Sequence, residues 1–154
     1  MKLSKNLSLS ECLVSQTAKR LQISNEPTQE HLSNLKTIAT KVFQPLREGL
    51  GCSIYVSSGY RSEALNKAIK GSSKTSQHMK GQALDLDADV YGGVTNKDIF
   101  LFIRDNLEFD QLIWEYGTKN SPNWVHVSFV EGKNRGKIMR CYGKSQYTLF
   151  DLDL

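Results

Sequence analysis

Three side chains in two patterned stretches of this sequence are of types that hold a divalent metal. His78 stands ahead of Asp85 in the stretch SQHMKGQALDLDAD, and His126 lies further along in WVHVSF. A catalytic zinc site usually draws three ligands from His and Asp or Glu and keeps water in the fourth position. Gly81 lets the backbone turn closely enough for His78 and Asp85 to approach one ion. In the strand that follows, Leu84, Leu86 and Ala88 share one face while Asp85, Asp87 and Asp89 share the other. Three carboxylates on one face repel unless a cation sits nearby, yet alternation does not choose among them, and solvent exposure explains Asp87 and Asp89 equally simply. In WVHVSF, Trp124, His126 and Ser128 share a face and Val125, Val127 and Phe129 share the core face. Taken alone, this spacing fits a structural histidine and a solvated aspartate as well as it fits a metal site.

These residues need elements to carry them. Residues 1–26 read as an irregular arm with one short helix from Ser10 to Leu21, capped by Ser10, and nothing in it looks catalytic. From Thr28 to Leu50, Leu32, Leu35, Ile38, Ala39, Val42, Phe43, Leu46 and Leu50 recur at helical steps, which predicts a long core helix. Pro45 inside that pattern predicts a kink or an early end, and Gly49 and Gly51 a stop. His31, in the first turn, reads as a surface histidine.

SIYVSSGYRS predicts a short strand with Arg61 emerging at its end, a common place for working side chains. ALNKAIKG reads as a short helix, and Thr95 with Asp98 makes a capping box for a helix from Asn96 to Asn106. DQLIWEYG, WVHVSF and KIMRCYG read as strands, and FDLDL as an acidic, hydrophobic tail.

At 154 residues the chain suits one domain, and 39% hydrophobic with 23% charged residues is ordinary for a globular protein. The expected organisation is a single domain over 1–154, with the arm at 1–26 and a C-terminal extension at 130–154. No run approaches the roughly 20 apolar residues of a membrane helix, and no signal peptide is evident, so synthesis in the cytoplasm without membrane insertion is expected. Cys12, Cys52 and Cys141 are odd in number and far apart, which reads as ordinary free cysteines. A net charge of +4 is too thinly spread to argue for nucleic acid. No apolar seam demands a partner chain, so a monomer is expected.

SSGYRS, SQHMKGQALDLD, LIWEYG and WVHVS together resemble, in order and spacing from Leu9 to Phe129, the zinc D-alanyl-D-alanine carboxypeptidase family. That family includes phage endolysin peptidases that cleave peptidoglycan. The resemblance implies Zn2+ as cofactor, with His78, Asp85 and His126 as ligands, and Arg61 holding or polarising the substrate carbonyl. It makes Ser76 a contact to the peptide backbone. Trp124, Tyr60 and Tyr116 read as walls of a substrate groove, although aromatic residues in strands are more often core. Many relatives carry an acid three residues before the second histidine. Here that position is Asn123, which cannot take a proton, so Glu115 in LIWEYG is the substitute base if the two strands pair as a hairpin. Glu115 would take a proton from the attacking water and return it to the leaving amine.

The expected fold is α+β in the manner of the hedgehog and D-Ala-D-Ala peptidase domains. A small antiparallel sheet would carry helices on one face and zinc on the other. The expected function is hydrolysis of peptidoglycan stem peptides, as a carboxypeptidase or as an endopeptidase acting on the cell wall after release, which suits a phage or prophage enzyme. The alternative is a non-catalytic zinc-containing module that binds peptidoglycan in a phage particle or wall complex.

Overall fold

In the computed structural model, which describes residues 1–143 and 146–150, the N-terminal arm is not irregular. β1 (Lys2–Ser4) and β2 (Leu7–Ser8) pair antiparallel, and α1 (Leu9–Leu13) and α2 (Gln16–Leu21) follow. The single helix expected from Ser10 is broken in two because Ser8 and Ser15, not Ser10, are the caps. Ser8 Oγ accepts the Glu11 N–H while Glu11 accepts the Ser8 N–H, and Ser15 Oγ accepts the Ala18 N–H. Leu3, Leu7 and Cys12 are buried, so the arm belongs to the core. The Cys12 carbonyl accepts the Tyr60 N–H at 2.8 Å. Asn25 Nδ2 donates to the carbonyls of Leu13 and Tyr60, and its Oδ1 accepts the Ser62 N–H. The arm thereby holds the turn that carries Arg61.

The helical periodicity becomes one continuous rod in three parts: α3 (Gln29–Ile38), a π-helical turn (Ala39–Phe43) and α4 (Gln44–Leu50). Pro45 neither ends nor breaks it. The wider turn just before Pro45, in which the Gln44 N–H reaches back to the Ala39 carbonyl, takes up the proline's missing bond and the clash of its ring. Gly49 lies inside α4, where a Cβ would overlap the Phe102 ring. Gly51, at φ 67°, closes the helix. His31 completes a capping box with Thr28 and lies 5.1 Å from the Tyr60 ring, a half-buried structural role.

The remaining elements are β3 (Tyr55–Ser58), α5 (Glu63–Ala68), a 3-10 turn (Gln77–Lys80), β4 (Ala83–Asp87), α6 (Asn96–Asn106), β5 (Gln111–Glu115), β6 (Trp124–Ser128), β7 (Lys137–Cys141) and β8 (Tyr147–Leu149). The six strands β3 to β8 form one sheet in the order β3-β4-β6-β5-β7-β8. The expected purely antiparallel sheet is therefore corrected to a mixed one, because β5 and β7 run parallel. The reason is local. β6 ends beside the start of β5, and the loop after it is clamped there by Asp110, which accepts from Arg135 Nε, Nη2 and backbone N–H at 2.8–3.0 Å. A strand begun at that end runs the same way as β5. β8 lies in the C-terminal extension, between the expected KIMRCYG strand and the FDLDL tail, where no element was expected, while residues 151–154 of that tail lie outside the described residues.

Leu35, Ile38, Val42, Phe43 and Leu46 of the rod and Ile99, Phe100 and Ile103 of α6 pack on Leu84, Leu86, Leu112, Trp114, Val125 and Val127 of the sheet. Helices thus cover one face, and Asp85, His126 and Glu115 project from the other, where the segment 69–73 after α5 borders a cleft. The α+β class is as expected. No described helix is long and apolar enough to cross a membrane.

The first turn of α3 also supports the loop carrying His78. Gly81 has φ +72°, and a Cβ there would come 2.5 Å from the His31 carbonyl oxygen. Gly81→Ala meets both the left-handed cost of about 1–2 kcal/mol and that contact. It is expected to lower stability by at least about 2 kcal/mol, read as the shift in urea midpoint at unchanged slope.

Candidate metal centre

The site begins with a loop folded back on a turn. Ser76 caps the 3-10 turn, its Oγ accepting the His78 N–H at 3.3 Å, and Gly81 in the left-handed region feeds the chain into β4. The Arg61 N–H donates to the His78 carbonyl at 3.1 Å. His78 Nδ1–H donates to the Gly59 carbonyl at 2.6 Å. That second bond selects the tautomer and leaves the Nε2 lone pair facing outward, as a ligating histidine requires. SSGYRS and SQHMKG are therefore one structural unit. Gly59 has its own constraint, since a Cβ would lie 2.7 Å from the Cys12 carbonyl oxygen.

Strand pairing supplies the rest. Asp85 stands opposite His126 across β4 and β6, so the two side chains leave the same face. Asp85 Oδ1 lies 3.3 Å from His78 Nε2 and 3.0 Å from His126 Nδ1. One donor atom from each of the three residues falls within a mutual 4.8 Å. A tetrahedral zinc with ligands at about 2.0–2.1 Å needs donors about 3.3 Å apart, close to the two Asp85–histidine distances, so the group could hold such an ion. The protonation states suit it too. Burial holds the His78 imidazole below its ordinary value, with Asp85 opposing, which keeps it neutral and able to ligate. Burial alone would raise the Asp85 carboxyl, but its interactions and hydrogen bonds with the His78 and His126 rings hold it well below the usual carboxylate range.

Two further groups face this cluster. Arg61 donates from Nη2 to Ser76 Oγ at 3.3 Å, and its Nε is buried without a partner. Among the described residues no carboxylate lies within ion-pair distance of it. Glu115 and Trp124 are opposite one another in the β5–β6 hairpin, with Ile113 opposite His126. Glu115 is therefore the diagonal neighbour of His126 on the cleft face. It is only 6% exposed. Burial pushes its carboxyl up to about 7, with the His126 charge opposing and the Asp85 charge adding. Asn123 is exposed at the hairpin end, its N–H on the Glu115 carbonyl at 2.9 Å.

A protein-family model described as Peptidase M15 matches residues 5–128. The chain belongs to the peptidase M15 family. This is the zinc D-Ala-D-Ala carboxypeptidase-like family of metallopeptidases. No curated protein matches the chain.

The M15 match ends where β6 ends, so β7 and β8 lie beyond it. Both nevertheless line the M15 cleft, a cavity of about 850 Å³, through Met139 and Tyr147. Trp124 lines it as well, its ring 5.2 Å from that of Tyr116. Tyr60, expected on the groove wall, is instead 5% exposed in the core, because its backbone is tied to Cys12 and its ring lies against His31. Ser76 borders the cleft, with its hydroxyl oxygen engaged by His78 and Arg61. Reading the sequence missed the Gly59 carbonyl, Asn25, Met139 and Tyr147. Only Gly59 had a signal, its place inside SSGYRS.

Proposed function

We propose that this M15 protein is a zinc peptidase that hydrolyses peptide bonds in the stem peptides of peptidoglycan, built on the hedgehog and D-Ala-D-Ala peptidase fold. The observation that carries the reading is the gathering of His78, Asp85 and His126 with Glu115 and Arg61 in a single cleft. Arg61, Lys70, Lys80 and Arg135 also line it, against the carboxylates of Asp85 and Glu115. A cationic rim suits stem peptides, which carry carboxylates.

His78, Asp85 and His126 would hold zinc, which supplies a Lewis acid and makes water acidic near neutral pH. Arg61 donates to the substrate carbonyl oxygen and stabilises the negative charge that develops there. Glu115 takes the proton from the attacking water. Burial lifts this carboxyl to about 7 in the metal-free protein, and a bound dication would draw it back toward the carboxylate form that accepts the proton. It then returns the proton to the leaving amine. Ser76 and the Gly59 carbonyl act one step back, orienting Arg61 and the His78 ring.

Zinc-loaded protein incubated with purified peptidoglycan is expected to release new amino groups. Free D-alanine among the products marks carboxypeptidase action and larger peptides mark endopeptidase action. No cleavage, with zinc bound at about one equivalent, would sink the enzyme reading in favour of a zinc-containing binding module.

A further inference from the structure

The strands beyond the family match change the length of the groove. Across the sheet, Trp124, Glu115, Cys141 and Tyr147 stand directly opposite one another on β6, β5, β7 and β8. Directly paired residues leave a sheet on the same face, so Tyr147 projects to the side that carries the metal cluster, and its side chain lines the cleft together with Met139. Three strand spacings of about 4.8 Å separate the ends of this row, roughly 14 Å from Trp124 to Tyr147. That is the span of about four residues of extended peptide, with the catalytic carboxyl one strand in from Trp124. A dipeptide reaching only the metal and Glu115 would leave the β7–β8 side empty.

We propose that the β7–β8 hairpin builds an additional substrate subsite, in which Tyr147 and Met139 hold residues of an extended peptide beyond the scissile bond. This rests on the peptidase reading above and deepens it, since it makes an extended stem peptide, rather than a free dipeptide, the preferred substrate. The chemistry of the subsite is that of a peptide backbone. Met139 offers an adaptable apolar contact, and Tyr147 offers a ring to pack on and a hydroxyl to donate. Partial desolvation, the neighbouring Glu115 and the contact with Cys141 hold the Tyr147 phenol above its ordinary value, so it stays protonated. Arg61 and Tyr147 line this same cleft, although they come from opposite ends of the sheet.

The test measures binding apart from catalysis. Zinc-loaded Glu115→Gln protein is titrated with a stem pentapeptide and with D-Ala-D-Ala. The pentapeptide is expected to bind at least ~10-fold more tightly. Adding Tyr147→Ala is expected to remove most of that advantage while leaving dipeptide affinity within about twofold, with zinc content and thermal midpoint unchanged. Pentapeptide affinity within twofold of the Tyr147-containing protein overturns the subsite. Pentapeptide binding that responds to Tyr147→Ala, in a protein whose wild type cuts nothing, supports the subsite and sinks only the peptidase reading. Absence of pentapeptide binding overturns the subsite, whereas the peptidase reading falls only if the zinc-loaded wild type also leaves peptidoglycan uncut.

Discussion

Glu115→Gln is expected to abolish hydrolysis and, in the same stroke, to make the metal-free protein more stable at neutral pH. The first effect follows from the carboxyl's place beside the metal cluster. Amide replaces the only buried acid on β5 that faces His126, and loss of a general base typically costs about 10²–10⁴ in rate. The second follows from linkage. Burial raises the folded Glu115 carboxyl from an ordinary 4.5 to about 7, so between those values the folded state binds the proton more tightly than the unfolded state does. Stability from this group is therefore greatest below 4.5 and is lost as pH rises through 7. At pH 8 the ionised carboxylate costs the metal-free fold about 3 kcal/mol on this basis, and glutamine removes that cost. Urea unfolding with a chelator present should show the variant more stable by about 2–3 kcal/mol at pH 8 and little different at pH 4. Bound dication shrinks the difference by attracting the carboxylate. Retained kcat within tenfold of wild type would assign the base elsewhere.

His126→Ala is expected to empty the metal site. His126 is one of the three proposed donors and is held by pairing with Asp85 across β4 and β6, so no neighbouring side chain can replace it without moving the strand. Zinc content should fall from about one equivalent to near zero and activity should become undetectable. Stability supplies an independent readout. A ligand that binds only the folded state adds about 4 kcal/mol when its free concentration is a thousand times Kd. A chelator should therefore lower the thermal midpoint of wild type markedly and that of His126→Ala hardly at all. Equal sensitivity of the two proteins to chelator would mean that the metal sits elsewhere.

The elements that position these residues were legible wherever a local rule governs. The apolar repeat of Leu35, Ile38, Val42, Phe43 and Leu46 marks its helix face because burial enforces helical periodicity. Thr95 and Asp98 mark the start of α6 because their side chains satisfy its own orphan N–H groups. The arm misled because Ser8, Ser10 and Ser15 are all competent caps, and only packing of Leu3, Leu7 and Cys12 into the core selects where the chain turns. The parallel β7 could not be foreseen, since its direction depends on Asp110 clamping a loop from another part of the chain. β8 was hidden because Tyr147, Thr148 and Leu149 are exposed and carry no alternation of burial.

For the site itself, the sequence alone determined the chemistry on offer: two histidines and a set of aspartates, with a carboxylate in LIWEYG that no local partner neutralises. Its family spacing pointed to Asp85. Alternation in a strand has period two, so it can say which face a residue takes but not what stands opposite. Asp85 and Asp87 are equivalent by that rule. The tertiary structure separates them, because the register of β4 on β6 sets Asp85 against His126 while Asp87 accepts from Asn96 Nδ2. The register of β5 on β6 sets Glu115 opposite Trp124, and the next strands bring Cys141 and Tyr147 into the same row. Which side chains converge is decided by the partner strand, whose pairing is a property of the whole folded chain.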